Sequence, residues 1–475
     1  MKMMKTRNMV SLIWIFSALW SIMGVLSWSH LPVGYKDDGL RLTFNSMMEH
    51  MLHGQFDVAP WSVGQEGFLR DGKVYAYWGI FPALLRLPIL LLPNGLHLDV
   101  TRFSSIIALL VILFFHYKIW DFLSRRFFQE TKWASVSLAV VLAFSGQQVC
   151  FFEHNLYQEV CFWALAFAAW FVYSAIRTIF DETYWRKAGL SMAIAASCAL
   201  LTRVSMGIGL YAALFCFFVY FSYKAYVVSD KHALMECVKS LIGPVIVSGL
   251  GLLITAYVNY ERWGNPLTFA NYSLYLYNIE YPDRILRTNL YGLFNIHRFY
   301  LGLVYFFFPI WIFQKHDGTF LLQQDFTKLI DANELPASSF FLTDGFMMLC
   351  GGIFLWTLLF NRRKDIFPFH RLLVGAVIIS LGIPAFLMMI AISMNYRYRA
   401  EFYPDIILLG ALGLIYIVRY KSDVPYLKKI LMALIVVSVL VSNFNSLLYG
   451  FSELGPCYPY MPHGVGYYYY HKIFK

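Results

Sequence analysis

Charge is scarce in this sequence of 475 residues. Asp, Glu, Lys and Arg together make up 14% of the chain, whereas an ordinary soluble domain carries about 25%. Hydrophobic residues make up 59%. This composition excludes a typical water-soluble globular protein and predicts that the chain folds within a lipid bilayer.

Cysteine and long basic runs are scarce as well. The seven cysteines are odd in number and lie mostly in or beside apolar runs, which argues against a disulfide framework or a cysteine metal site. The net charge is +10, but no basic run exceeds three residues, so we expect no nucleic-acid partner. A membrane protein that keeps Lys and Arg on one side of the bilayer carries such a charge.

Segments typical of multi-domain or secreted proteins are also missing. No Gly/Ser-rich linker, low-complexity tract or clear internal repeat divides the chain, so we expect a single transmembrane domain over residues 1–475. The first apolar run, 9–28, is longer than the core of a signal peptide, and no small-residue cleavage site follows it. It therefore predicts a membrane span.

Long apolar runs, by contrast, recur along the whole chain. Eleven of them are long enough to cross a bilayer. They cover residues 9–28, 103–121, 133–151, 155–176, 188–206, 207–223, 240–258, 340–360, 370–394, 402–418 and 430–448. The sequence therefore predicts an all-α fold, a polytopic membrane helix bundle of about eleven spans with outer juxtamembrane helices.

Two further apolar runs, 79–96 and 299–313, decide the topology. If neither of them crosses, all the basic loops face the cytoplasm, which is the side that Lys and Arg favour. Prolines also make the first of them a poor straight helix. We therefore predict a cytoplasmic N-terminus, an outer C-terminus and two large outer loops, 30–102 and 259–339.

Two adjacent aspartates, Asp37 and Asp38, lie near the start of the first outer loop. An amphipathic pattern over residues 40–53 follows them and predicts a helix that lies in the membrane surface. One interpretation of the pair is an N-cap, since aspartate is favoured there. The other is a general base, because a partly buried carboxylate beside a second one can take a proton from a hydroxyl. A divalent cation bound by a carboxylate stays open, and no other cofactor is expected.

Several basic residues fall in segments predicted to lie outside, where the orientation rule disfavours them. A planar guanidinium suits a phosphate. The alternatives are snorkelling at a span end for Arg203 and pairing with Glu401 for Arg399. The candidate phosphate ligands are Arg203, Arg397, Arg399 and Lys73. A base and an arginine-lined phosphate site beside a membrane-surface helix predict group transfer from a lipid phosphate.

Short motifs follow one another along the chain. They are KDDGLRLTF (36–44), DGKVYAYWGIFPALLRLP (71–88), EHNLYQEV (153–160), LLTRVS (200–205), NYERWGNPLTFA (259–270) and YRYRAEFYPDIILLGALG (396–413). In order and predicted topology the chain resembles the GT-C superfamily of integral-membrane glycosyltransferases, which includes protein O-mannosyltransferases, aminoarabinose transferases and phage-type O-antigen glucosyltransferases. The acidic pair is Asp-Asp where many members have Asp-Glu. The Lys-Pro-Pro of aminoarabinose transferases is replaced at 79–82, which argues against aminoarabinose transfer.

The resemblance implies a donor, a reaction and a set of residues. The donor would be a polyprenyl-phosphate sugar such as an undecaprenyl-phosphate hexose, and the acceptor O-antigen or another cell-surface glycan. Transfer would invert the anomeric centre on the extracytoplasmic face of a bacterial inner membrane, with Asp37 as the base. The candidate contacts to the substrates are Tyr75, Tyr77, Glu153, His154, Tyr396 and Glu401. For Glu153 and His154, the alternatives are a metal ion and capping of helix ends.

Two other classes of protein compete with this interpretation. O-antigen polymerases and ligases also have about a dozen spans and outer arginines, but their chemistry depends on arginine and histidine, without an acidic pair after the first span. A transporter or flippase needs charged residues near the bilayer centre, and the predicted spans are nearly free of them. A cavity beside Asp37 would favour transfer, whereas a central vestibule would favour transport.

Overall fold

The structure is a computed structural model of the chain. It describes residues 2–27, 40–151, 155–228, 231–308, 322–333, 338–360, 370–421, 424–451 and 470–471. Within these ranges the protein is a helix bundle with four strands of two or three residues each. The predicted fold class, an all-α polytopic membrane bundle, is confirmed.

Nine helical stretches among the described residues are long and apolar enough to cross a membrane. Each of them overlaps one of the eleven predicted spans. They are Met9–Leu26, Thr101–Phe127, Lys132–Phe151, Leu156–Phe180, Val204–Val227, Leu234–Trp263, Arg371–Met389, Tyr403–Tyr420 and Pro425–Leu448.

The other two predicted spans, 188–206 and 340–360, also form helices, Trp185–Thr202 and Gly345–Phe360. The first is less apolar because two basic residues fall in its first turn. The second has 16 residues. At 1.5 Å per residue, a helix of that length covers about 24 Å, short of the roughly 30 Å of a bilayer core.

Helices and strands are numbered in chain order. The helices are α1 Lys2–Ser27, α2 Thr43–Leu52, α3 Pro60–Val63, α4 Phe81–Leu84, α5 Thr101–Phe127, α6 Lys132–Phe144, α7 Leu156–Phe180, α8 Trp185–Thr202, α9 Val204–Val228, α10 Lys231–Trp263, α11 Leu276–Glu280, α12 Pro282–Tyr291, α13 Phe299–Phe307, α14 Gln323–Leu329, α15 Phe340–Thr343, α16 Gly345–Phe360, α17 Arg371–Met389, α18 Tyr403–Tyr420 and α19 Pro425–Phe451. The strands are β1 Phe68–Arg70, β2 Lys73–Tyr75, β3 Ala332–Asn333 and β4 Ser393–Met394.

Helix α7 is the most enclosed of the candidate spans. In its most apolar window 89% of the residues are buried, against 22% in α10. It packs against α5 and α8, and Ala164, Ala166 and Ala168 on it are fully buried. Small side chains allow helices to approach closely, which is how helices associate when lipid removes the hydrophobic driving force.

Helices α16 and α18 approach each other through glycine. A Cβ on Gly413 would lie 1.9 Å from the carbonyl oxygen of Cys350, and a Cβ on Gly410 would lie 2.4 Å from the sulfur of Met347. A side chain at either position would therefore push the two helices apart.

Helix α2 occupies the amphipathic segment predicted at 40–53. Phe44, Met47 and Met48 are buried as the pattern predicts. Asn45, assigned to the polar face, is buried too, because its amide donates hydrogen bonds of 3.0 and 2.9 Å to the carbonyls of Leu96 and Leu98. The helix is therefore held against the protein on more than its apolar stripe.

The proline-rich run 79–96 is broken into short pieces. It contains the four-residue α4 and a 3-10 helix at Leu87–Leu91, neither of which is long enough to cross a bilayer. Arg86, between the two pieces, forms a two-point ion pair with Glu159 of α7, with distances of 2.6 and 2.7 Å. Both side chains are buried, so this pair fastens the run to the start of α7.

The two large loops are joined by backbone contacts between residues 67–75 and residues 275–276. The end of the bundle that carries these contacts is called here the loop end. Strands β1 and β2 form an antiparallel hairpin whose turn, Asp71-Gly72, has positive φ at both residues, as tight hairpin turns require. Phe68 of this hairpin forms a β-bridge with Tyr275. Next to it, the Leu276 amide donates a 2.9 Å hydrogen bond to the carbonyl of Gly67.

Two buried arginines near the loop end are held by carbonyl oxygens. Arg298 donates hydrogen bonds of 2.9 and 2.8 Å to the carbonyls of Gly292 and Leu329. Arg262, at the end of α10, donates one of 2.8 Å to the carbonyl of Trp78. Among the described residues, neither has a carboxylate within ion-pair distance. Each guanidinium therefore joins segments that are distant in sequence.

Candidate functional site

Four of the predicted site residues lie outside the described part of the chain. They are Asp37, Asp38, Glu153 and His154. The predicted roles of base and helix cap at these positions therefore stay predictions. Asn155, which directly follows the last of them, caps α7 by accepting a 2.9 Å hydrogen bond from the backbone N–H of Tyr157.

Arg203 lies in the link between α8 and α9 and forms an ion pair with Glu401. The Ser205 hydroxyl donates a 2.8 Å hydrogen bond to the same carboxylate oxygen. Glu401 is buried, whereas the Arg203 side chain is 18% exposed. The guanidinium also lies over the ring of Tyr398, 5.0 Å from its centroid.

Arg399 is fully buried and pairs with a different carboxylate. Its guanidinium lies 3.1 Å from Asp344 and donates a 2.8 Å hydrogen bond to the carbonyl of Ser338. The alternative pairing of Arg399 with Glu401, raised from the sequence, is therefore wrong, because Glu401 is used by Arg203. The enclosed Arg399 side chain therefore joins the residues that flank α15 to the segment that precedes α18.

Arg397 lies against two tyrosine rings. It is half-buried, and its guanidinium lies 4.6 Å from the ring centroid of Tyr157 and 5.4 Å from that of Tyr398. Stacking against aromatic faces orients a guanidinium. Of the three predicted phosphate-binding arginines, this one lies between tyrosine rings.

Lys73 and Tyr75 lie on β2, and the residues around them are Asp57 and Trp263. The Lys73 ammonium is 3.9 Å from Asp57, which also lies 3.4 Å from His50. Tyr75 is buried beside Trp263. The structure thus places Lys73 beside Asp57.

Tyr77, by contrast, belongs to a continuous row of aromatic rings at the loop end. Neighbouring centroids in the row are 4.5 to 5.8 Å apart from Tyr275 to Tyr157, and Arg397 joins Tyr157 to Tyr398. We call this row the aromatic arc. Its members are Tyr275, Phe68, Tyr77, Trp78, Tyr157 and Tyr398.

Tyr396 directly precedes Arg397 and contacts the start of α7. It is buried, and its hydroxyl accepts a 3.1 Å hydrogen bond from the amide of Gln158. Because the same amide-bearing residue lies beside Tyr157 on α7, this contact fixes the segment that carries Arg397 against the start of α7. The predicted substrate contact at Tyr396 stays a prediction.

Glu66 is a residue that the sequence analysis did not single out. It ends the 3-10 helix Gly64–Glu66 and is half-buried. The Tyr275 hydroxyl donates a hydrogen bond of 2.5 Å to its Oε2. The available signal was the density of tyrosine in the two loops, in VYAYW and NYSLYLYNIEY, since buried phenols need acceptors.

The tyrosines of this region hold their protons tightly. Burial raises the pKa of Tyr77, and the neighbouring Glu66 carboxylate raises it further, while Arg397 lowers it. Burial also raises the pKa of Tyr275, with Glu66 again adding to the effect. These hydroxyls are therefore neutral donors at physiological pH.

Metal ligands are not grouped within the ranges that the structure describes. No set of three or more His, Cys, Asp or Glu side chains there could hold a metal ion. The acidic pair and Glu153 with His154 lie outside those ranges, so a divalent cation at these positions stays a prediction.

The arrangement brings three kinds of side-chain group together at the loop end. A guanidinium suits a phosphate, a carboxylate and neutral phenols suit hydroxyl groups, and aromatic faces suit the C–H face of a ring. The site is thus chemically matched to a ligand that carries both a phosphate and a polyhydroxylated ring.

Comparison with solved structures matches the chain to oligosaccharyltransferases of the archaeon Archaeoglobus fulgidus. For AglB in complex with an inhibitory peptide and a dolichol-phosphate, the TM-score is 0.45 at 14% identity, over 97% of this chain and 56% of that one. A structure tethered to an acceptor peptide with the NVT sequon gives 0.46 at 14%, over 92% and 55%. A complex with Zn and sulfate gives 0.46 at 15%, over 91% and 53%.

No family model matches the sequence, and no curated protein matches it. The chain spans just over half the length of the oligosaccharyltransferases that it matches.

Proposed function

We propose that this protein is a membrane glycosyltransferase that moves a sugar from a polyprenyl-phosphate donor to a hydroxyl of an extracytoplasmic acceptor. One observation carries the proposal. Arg397 lies between the rings of Tyr157 and Tyr398 at the loop end of a membrane bundle, and Glu66 is bonded to Tyr275, whose ring stacks on Phe68 next to Tyr77. A phosphate-binding group and a hydroxyl-binding group thus share one site.

The donor's phosphate binds Arg397 in this proposal. A lipid phosphate reaches the protein from the membrane surface, and the arginine follows α17 and precedes α18, two candidate spans. Arg203 lies close by over Tyr398, with its charge balanced by Glu401. Arg399 supports the site through Asp344 and does not touch the donor.

The reaction is a single displacement. The acceptor hydroxyl oxygen forms a bond to the anomeric carbon, the bond from that carbon to the phosphate oxygen breaks, and its electron pair leaves with the phosphate. The proton of the hydroxyl passes to the carboxylate of Asp37, and Asp38 supports that carboxylate. The phosphate is already a good leaving group, so the proposal requires no general acid, unlike glycoside hydrolysis.

The finer details of the proposal follow the sequence resemblance. The donor is an undecaprenyl-phosphate hexose, the acceptor is O-antigen or another cell-surface glycan, and the loop end faces the extracytoplasmic side of a bacterial inner membrane. The first outer loop, 30–102, and the second, 259–339, form the site on a single transmembrane domain.

The test is a transfer assay on purified protein in proteoliposomes. Undecaprenyl-phosphate sugars carrying radiolabelled glucose, galactose or mannose are supplied with a lipid-linked glycan acceptor, and labelled glycan is counted. Sugar-dependent transfer that is lost in Asp37→Asn supports the proposal. If no donor in the panel yields labelled glycan above protein-free liposomes, the proposed function is wrong.

A further inference from the structure

Glu66 differs from three other shielded carboxylates of the protein. Glu159, Glu401 and Asp344 each pair with an arginine. Among the described residues, no Lys, Arg or His lies within ion-pair distance of Glu66, whose partner is the Tyr275 hydroxyl. A half-buried carboxylate accepts several hydrogen bonds, and one phenol uses only part of this capacity.

The surroundings of Glu66 are phenols. Its charge acts on the hydroxyls of Tyr77, Tyr157 and Tyr272 as well as on that of Tyr275. These groups belong to both large loops and to the start of α7. Glu66 is therefore at the meeting point of the elements that form the aromatic arc.

Arg397 acts on two of the same tyrosines with a charge of opposite sign. The hydroxyls of Tyr77 and Tyr157 each interact with Glu66 and with Arg397. Along the aromatic arc, Glu66 is bonded to Tyr275 at one end, and Arg397 lies over the ring of Tyr157 toward the other end. A ligand with a phosphate at one end and hydroxyls at the other fits this order of charges.

We propose that Glu66 is the residue that selects the transferred sugar, by accepting hydrogen bonds from two ring hydroxyls of the donor while Arg397 holds its phosphate. This inference rests on the proposed function. The half-buried ring of Tyr77 packs against the C–H face of the sugar. Tyr275 positions the carboxylate and does not touch the donor.

A carboxylate in this role discriminates strongly against deoxy sugars. When a hydroxyl is missing, the half-buried acceptor loses its partner, and a site built to bind a hydroxyl rejects the analogue that lacks it. Glutamine in place of Glu66 keeps the acceptor oxygen for Tyr275 but removes the charge. The discrimination should therefore weaken without loss of the fold.

The test measures equilibrium binding, so it does not depend on turnover. Short-chain prenyl-phosphate glucose, galactose and mannose are first compared on the parent, and the tightest binder is then compared with its 2-, 3-, 4- and 6-deoxy analogues. The same series is run on Glu66→Gln and on Glu280→Gln. Glu280 is an exposed carboxylate bonded to Gln65 and gives the same change of charge.

The expected result is a roughly 10- to 100-fold weaker Kd for the full sugar in Glu66→Gln, the scale of a lost charge-assisted hydrogen bond. The penalty for removing one or two particular hydroxyls should fall toward unity in this variant. Glu280→Gln should behave as the parent. Thermal unfolding of Glu66→Gln should stay within a few degrees of the parent.

Three outcomes overturn the inference. Glu66→Gln that keeps the parent's Kd and its full deoxy penalties excludes a contact between this carboxylate and the sugar. An equal loss of affinity for prenyl phosphate without a sugar points to a general effect of charge. A parent that binds none of the three sugars overturns this inference and the donor assignment together, whereas binding without transfer leaves Glu66 supported and the proposed reaction wrong.

Discussion

The guanidinium of Arg86 and the carboxylate of Glu159 face each other through two parallel hydrogen bonds, at 2.6 and 2.7 Å, with neither side chain exposed beyond 1%. Arg86 also lies over the ring of Phe44, 5.6 Å from its centroid. Three segments, the run 79–96, α2 and α7, therefore depend on one pair of charges.

Glu159→Gln should destabilise the protein strongly. The substitution leaves the Arg86 charge buried without its partner, which costs about 3–5 kcal/mol. Chemical unfolding in detergent, followed by tryptophan fluorescence, measures the loss. The matched control is Asp121→Asn, which removes the partner of Arg125, a side chain 56% exposed, and should cost under about 1 kcal/mol. Equal effects of the two variants would contradict the structural role of the buried pair.

Arg397 and Arg399 should separate activity from stability. Arg397→Gln should lower sugar transfer by about 2–4 kcal/mol of transition-state stabilisation, the scale of one lost oxyanion-type contact, and should lower the free energy of unfolding less than Arg399→Gln does, because Arg397 is only half-buried. Arg399→Gln strands Asp344 in the interior and should lower the free energy of unfolding by about 3–5 kcal/mol. Transfer rates and denaturation curves on the same preparations distinguish the two. Normal turnover in Arg397→Gln would remove this residue from the donor site.

Asp37→Asn should abolish most transfer without loss of the fold. Asparagine caps a helix about as well as aspartate but is not a base, so transfer should fall by roughly 100-fold or more. Asp38→Asn should lower transfer less, since its role is support. Radiolabelled sugar transfer by folded protein of each variant is the measurement. If both variants transfer at the parental rate, the pair is a cap, and the base lies elsewhere, with Glu153 the next candidate.

The tyrosines of the loop end predict a loss of stability in alkali. Burial raises the pKa of Tyr272 and Tyr275 in the folded protein, while an unfolded tyrosine titrates near 10. Their contribution to stability is therefore complete below about pH 10 and is lost as the pH rises above it, because only the unfolded chain releases these protons. Melting temperatures measured between pH 9 and 11 should fall less steeply in Tyr275→Phe than in the parent. Tyr281→Phe, at an exposed position, should follow the parent.

Much of the bundle could be predicted because span length and apolarity are local properties. The run LLTRVSMG predicted a break between two spans, and the chain indeed leaves α8 at Thr202 and enters α9 at Val204. Helix α2 was predicted from its apolar spacing. Its buried Asn45 was not, because the acceptors are carbonyls more than fifty residues away in sequence.

Ion-pair partners could not be predicted, since they depend on which helix ends meet. Arg203 and Glu401 are separated by 198 positions, and Arg399 and Asp344 by 55. Composition marks all of them as charges in an apolar chain but gives no pairing. Glu66 was missed for a related reason, because a single glutamate in a loop has no pattern until the second loop brings Tyr275 to it.

Arg262 and Arg298 are held by backbone carbonyls, which have a dipole that accepts hydrogen bonds but no net charge. The two guanidinium groups therefore leave two positive charges near the loop end, where a low-dielectric interior screens them less than water would. Such a field extends beyond contact distance and draws anions from the membrane surface, and a Debye length of about 10 Å at 0.1 M salt limits its reach. Capture of the proposed lipid-phosphate donor should consequently become slower as ionic strength rises, even where every direct contact to the phosphate is unchanged.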